Sequence, residues 1–369
     1  MKVVFSTDQI YLHGGIEKVM AEKANYFSDV CGYEVIILTC EQRGNLPCYT
    51  LSSKIQMLDL GVNYERNKSY FLPTNLLKLP KHLYRLRHAL KKLNADSVIV
   101  SNFGFDYYAI PFFNTKSKKI KEFHSSRYFE AAARKNTVSF LKGLHYKFND
   151  WIESKYNHIV VLNRDEATFY KSNTIVVIPN PVTIPNVSAK LEAKQAIAAG
   201  RIAGVKGFDK LIEAWKIIHQ VAPEWQLHLY GEDYNGTQLL LEKLVKDNCL
   251  QECVKFKGST SNIITTFTDY SLYVMSSITE CFPMVLLESL SVGLPVVSFD
   301  CPTGPKNIIT DGEDGLLALN QNVDDLAKKV LFLLQNPEQR NFFGMHAKRN
   351  SLQFSTPVVM KQWINLLQS

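Results

Sequence analysis

Short runs of β-branched and apolar residues alternate with amphipathic helical stretches along almost the whole chain, and this alternation restricts the fold more than any other feature. The runs predict strands over 2–6, 35–39, 55–58, 97–101, 119–123, 158–162 and 174–178 in the first half. In the second half they predict strands over 195–199, 226–230, 254–256, 272–275, 295–299 and 316–318. Strands that alternate with helices form parallel sheets covered on both faces. The expected class is therefore α/β. A proline-rich break, IPNPVTIPNVSAK, falls around Pro179–Pro185. Proline cannot donate to a sheet ladder and restricts the residue before it, so this segment reads as a linker between two similar halves. At 369 residues the length also suits two domains. The expected division is 1–178, 179–352, and a final helix, 353–369, that returns to pack on the first domain.

Composition is that of a globular protein, with 46% apolar and 21% charged residues. No run reaches the roughly 18 apolar residues that a membrane span needs. The opening MKVVFSTDQIYLHGG reads as a first strand rather than an export signal. Seven cysteines at irregular spacing, with no CxxC pair, suit free thiols in a reducing cytosol and do not suit a zinc site. The expected location is the cytoplasm, with peripheral attachment to the inner face of the cell membrane. The formal charge of +7 is uneven: from Arg66 to Ala95 there are eight Lys/Arg and no Asp or Glu. Within it, Asn75–Leu93 has leucines at helical spacing among six Lys/Arg, a pattern that suits an anionic membrane surface or a core-facing helix with a basic outer face. No nucleic-acid motif is found, so nucleic acid is not an expected partner.

In open parallel sheets ligands bind beyond the carboxyl ends of strands, so chemistry is sought in the loops that follow them. Gly14-Gly15-Ile16-Glu17 lies just after the first strand and opens a helix, where glycine lets backbone approach a ligand and free N–H groups face an anion. Glu17 equally fits a plain helix-start role. Gly200-Arg201-Ile202-Ala203-Gly204-Val205-Lys206-Gly207 follows the 195–199 strand and sets two cations beside flexible glycines, a pattern that stabilises a departing diphosphate. Glu280-Cys281-Phe282-Pro283-Met284-Val285-Leu286-Leu287-Glu288 follows the 272–275 strand. Pro283 is expected as first helical residue and Gly293 just past the helix end. Phe282–Val285 then offer backbone to a ligand. Glu280 and Glu288 offer carboxylates to hydroxyl groups, and Glu288, among apolar neighbours, needs a partner. His124 ends a strand of the first half, a position that suits structure as well as chemistry. Asp300-Cys301-Pro302-Thr303-Gly304-Pro305 reads as a shaped turn without an assignable role.

Taken together, these residues resemble the family 4 retaining glycosyltransferases of GT-B fold, and among them bacterial transferases that extend lipid-linked or surface glycans. The Gly14–Gly15–x–Glu17 loop, the Arg201/Lys206 pair, Val254-Lys255-Phe256-Lys257-Gly258 and Glu280-x7-Glu288 stand in the family's order. The resemblance implies two Rossmann-like parallel-sheet domains facing across a cleft. It implies that Arg201 and Lys206 hold the donor diphosphate, Glu288 the ribose, and Glu280 and His124 the transferred sugar. Phe282, Pro283, Met284 and Val285 would line sugar and phosphate, and Gly14 and Gly15 would approach donor or acceptor. Where the family often has glycine this chain has Cys281 and Pro283, and proline removes one N–H donor. The implied reaction moves a hexose or N-acetylhexosamine, UDP-linked, to a glycan or lipid-linked acceptor. No cofactor and no metal are expected, in keeping with the absence of any Asp-x-Asp motif. The rivals are a sugar-nucleotide epimerase on the same fold and a non-catalytic basic membrane-binding protein.

Overall fold

The computed structural model describes residues 1–136 and 139–369. The chain divides into two compact units, one made of Met1–Pro181 with Val359–Ser369 and the other of Val182–Val358. The first unit carries β1 (Lys2–Thr7), β2 (Glu34–Thr39), β3 (Gln56–Asp59), β4 (Ser97–Val100), β5 (Lys118–Glu122), β6 (His158–Val161) and β7 (Ile175–Val177). The second carries β8 (Gln195–Ala199), β9 (Gln226–Tyr230), β10 (Val254–Gly258), β11 (Leu272–Met275), β12 (Val296–Phe299) and β13 (Gly315–Ala318). Every strand read from the alternation is present, with no end more than two residues away.

Both sheets are parallel throughout. The first runs β3-β2-β1-β4-β5-β6-β7 and the second β10-β9-β8-β11-β12-β13. In each, the strand order reverses at one point, between β1 and β4 and between β8 and β11. That reversal opens a crevice at the carboxyl edge where ligands bind.

The sheet of the first unit separates two cores because strand side chains alternate. Val4, Ile36, Leu38 and Val98 join the core on one face. Val3, Phe5, Val35, Ile37 and Ile99 join the other, together with Val359, Met360, Trp363 and Leu366 of the terminal helix Thr356–Gln368. In the second unit Ala196, Ala198, Leu227, Leu229 and Val274 pack beneath Leu211, Ile212, Trp215 and Ile218 of the helix Phe208–Val221.

The basic segment Asn75–Leu93 resolves into a short turn and a helix, Leu79–Leu93. Leu86 and Leu90 are buried in the core and Leu79 and Leu93 pack against it, so the apolar face of this helix is turned inward and its lysines and arginines outward. Among the described residues no helix is long and apolar enough to cross a membrane, and no group of three or more His, Cys, Asp or Glu is placed to hold a metal ion. The seven cysteines are free thiols.

Candidate active site

In the second unit, loops from three neighbouring strands converge on Glu280. The loop after β8 is fixed to the loop after β11 by Ile278 N–H donating to Val205 O at 2.9 Å and by Ser276 Oγ donating to Lys206 O at 2.9 Å. Gly207 makes this approach possible: it sits at φ 60°, and a Cβ there would lie 2.1 Å from Ser276 O. So anchored, Lys206 reaches across and its Nζ lies 2.6 Å from Glu280 Oε1. Ser277 Oγ donates to the same oxygen at 2.7 Å. The loop after β12 closes from the third side, where Thr303 Oγ1 donates to Glu280 O at 2.8 Å. Gly304 is required because a Cβ there would lie 2.6 Å from that of Glu280. Both charged side chains stay accessible, Lys206 at 23% and Glu280 at 13%.

The other assigned residues of this unit lie on the loop after β8 and on the segment and helix that follow Glu280. Arg201 is exposed, and its guanidinium lies 5.2 Å from the centre of the Tyr234 ring. Glu288 is buried on the helix Met284–Ser291. Burial first, with the charges of Glu280 and Glu288 adding to it, holds the Tyr273 phenol above its ordinary range, while its hydroxyl donates to Ala199 O at 3.2 Å. Burial first, then Glu280 and Asp300, push the Cys301 thiol up to about 12, so that thiol is inert at neutral pH.

Pro283 caps this helix instead of forming its first residue: it has φ -68° and ψ 118°, and the helix begins at Met284. An extended ψ at the cap turns the chain into the helix, and an ordinary proline φ suits that position equally well. Gly293 does lie past the helix end, at φ 73°. Phe282 and Pro283 are buried, with the Phe282 ring set 5.6 Å from Phe354. Met284 and Val285 are partly exposed in the first turn, where N–H groups have no intrahelical acceptor.

In the first unit the loops after β1 and β5 carry the remaining assigned residues. Gly15 is the first residue of the helix Gly15–Asp29, with Gly14 as its cap. Glu17 folds back over Gly14, whose missing Cβ would lie 2.3 Å from Glu17 Oε2, and Glu17 Oε1 accepts from Gln9 Nε2 at 2.6 Å. His124 follows β5, and its Nε2 is 3.2 Å from Glu122 Oε2. Glu122 is itself buried and paired to the equally buried Lys23 at 2.5 Å. Burial alone would push its carboxyl up, but Lys23 and then His124 hold it well below the usual carboxylate range. The ionised Glu122 therefore orients the imidazole as a second residue behind it. Lys23 Nζ in turn lies 4.3 Å from the centre of the Trp363 ring.

Reading by motif missed several of these groups. Glu122 and Lys23 lie ninety-nine positions apart and meet only through the pairing of strand and helix. Ser276 and Ser277 directly follow a buried strand, and that placement was the available signal. At the carboxyl ends of β1 and β2, Asp8 accepts from Asn102 Nδ2 at 2.7 Å, and Glu41, pushed up to about 7 by burial against the pull of Arg66, meets Arg66 Nη1 at 2.6 Å.

Residues 183–350 match the family model of glycosyl transferases group 1. The chain is 27% identical over 374 aligned residues, 99% of each chain, to an uncharacterized glycosyltransferase of Haemophilus influenzae. It is 25% identical over 385 aligned residues, again 99% of each, to an amylovoran biosynthesis glycosyltransferase of Erwinia amylovora. Among solved structures, a TarM variant of S. aureus in complex with Fondaparinux, alpha-GlcNAc-glycerol and UDP superposes with a TM-score of 0.80 at 19% identity, covering all of both chains. At that identity the likeness speaks for the fold, which is GT-B. Family model, full-length relatives and fold agree: the chain is a glycosyltransferase, and residues 183–350 are the part that matches group 1.

Proposed function

We propose that this enzyme moves a hexose or N-acetylhexosamine, with retention, from a UDP-sugar to a lipid-linked glycan acceptor in the synthesis of a bacterial surface polysaccharide. The observation that carries the reading is the cationic Lys206 side chain, held beside Glu280 by loops from three adjacent parallel strands. Positive charge fixed at a sheet edge stabilises the charge that grows on a departing diphosphate. The named substrates of relatives support the donor and polymer classes.

In this reading Arg201 and Lys206 take the diphosphate, with help from the first turn of the Met284–Ser291 helix. Glu280 and His124 contact the transferred sugar, and Glu288 binds ribose. The acceptor hydroxyl attacks the anomeric carbon on the face from which UDP leaves. Its proton passes to the departing phosphate oxygen, so no protein nucleophile and no metal are called upon. Thermal melting with UDP-, GDP- and ADP-sugars tests the donor, since saturation at 100 times Kd raises stability by about 2.7 kcal/mol. UDP-sugars should raise the melting temperature, and no shift with any of them overturns the reading. Product NMR should show the donor's anomeric configuration, and excess EDTA should leave turnover unchanged.

A further inference from the structure

A helix on a globular surface normally buries its apolar stripe and exposes its polar one. The helix Phe140–Glu153 in the first unit does the reverse. Phe140, Leu141, Leu144, Phe148 and Trp151 recur at helical spacing on one side, and their exposures are 82%, 74%, 53%, 45% and 47%. Phe112, itself exposed, stacks on Trp151 at 5.1 Å and widens the stripe.

The inward side sets one residue, Ile152, in the core and binds its acids to arginines. Arg127 holds Glu153 through both carboxylate oxygens. Arg134 binds Asp150 at 2.6 Å and lies 4.8 Å from the centre of the Tyr146 ring. The helix's two acids are thus neutralised by arginines from the preceding segment. Lys142 and Lys147 on the helix, with Lys135 before it and Lys155 just after, are exposed.

We propose that this outward face docks on an anionic lipid bilayer. Phenylalanine, leucine and tryptophan side chains match the acyl boundary, and edging lysines with no unpaired carboxylate on the helix match anionic headgroups. The Leu79–Leu93 helix offers no comparable face, because its leucines Leu86 and Leu90 are taken up by the core. The inference is independent of which sugar or acceptor the enzyme uses.

Trp151 makes the test direct. Of the four tryptophans it alone is exposed, since Trp215, Trp225 and Trp363 are at 0%, 3% and 1%. The full chain is mixed with phosphatidylglycerol-containing or pure phosphatidylcholine vesicles at low salt. Anionic vesicles should shift its fluorescence to the blue, and lipids brominated in the acyl chain should quench it. The combined Phe140→Ser, Leu141→Ser, Leu144→Ser variant, checked for an unchanged melting temperature, should lose vesicle binding by roughly tenfold or more. Lys142→Glu with Lys147→Glu should abolish the preference for anionic vesicles. Wild-type protein that ignores anionic vesicles, or a serine variant that binds as tightly as wild type, overturns the proposal. So does self-association that the serine variant removes in the absence of vesicle binding, because the face would then join two copies.

Discussion

Lys206 and Glu280 neutralise each other at 2.6 Å although both remain partly open to solvent. The pair keeps access to water, so a diphosphate can reach Lys206 and compete with the carboxylate for it. Removing Lys206 should therefore cost far more in catalysis than in folding. Lys206→Ala is expected to lower kcat by about 10²–10³ with its melting temperature kept. Glu280→Gln should split the two functions, binding UDP at least as tightly by calorimetry while turning over more slowly. Near-wild-type turnover in Lys206→Ala would remove the diphosphate assignment.

Arg201 presents a simpler case, because it is exposed with its guanidinium beside the Tyr234 ring. Little stability hangs on it. Arg201→Ala should reduce kcat/KM by about 10²–10³ if the guanidinium clamps phosphate. Arg201→Lys should recover only part of that loss, since lysine lacks the planar two-point fork. Full recovery by lysine would show that charge alone is needed there.

Gly207 is expected to tolerate no side chain. At φ 60°, with Ser276 O in the way, a methyl group adds both backbone strain and a collision with backbone. Gly207→Ala should destabilise by about 1–3 kcal/mol and misplace Lys206, lowering turnover as well. Gly204→Ala is the control, since nothing lies within 4 Å of its added Cβ. Equal melting temperatures for the two variants would contradict the close approach of these loops.

The buried pair Lys23–Glu122 should be visible in an acid titration of stability. Glu122 is held below its ordinary value of 4.5 in the folded protein. Between the two values the unfolded chain binds more protons, so stability falls as pH drops below about 4.5. At neutral pH the contribution is fully present. Glu122→Gln should flatten that acid limb. It should also lower turnover if the carboxylate orients His124, whereas His124→Ala should lower turnover and soften the limb only in part, since Lys23 remains. An unchanged acid limb in Glu122→Gln would place the acid sensitivity elsewhere.

The strands were legible because a parallel strand buried on both faces writes an unbroken apolar run, as in Val35–Leu38 and Leu272–Met275. The loops that follow them were legible as motifs because Gly200, Gly207 and Pro283 mark sharp changes of chain direction. The Asn75–Leu93 pattern fitted two environments equally, and only the three-dimensional neighbours of Leu86 and Leu90 decide between them. Partnerships across long stretches of sequence left no local trace. Glu122 reads as one more charged residue in KKIKE until β5 is laid beside the Gly15–Asp29 helix. Thr303 and Gly304 likewise announced a turn, but their grip on Glu280 depends on β12 lying next to β11.

The final helix has a consequence for synthesis. Val359, Met360 and Trp363 fill a core shared with Val3 and Phe5 of β1. That core stays incomplete, with apolar surface open to water, until Val359–Ser369 emerges, after the entire second unit has been translated. The first unit is thus begun before the second and finished after it, and a chain stalled or clipped just before Val359 would leave Lys23 without its tryptophan lid.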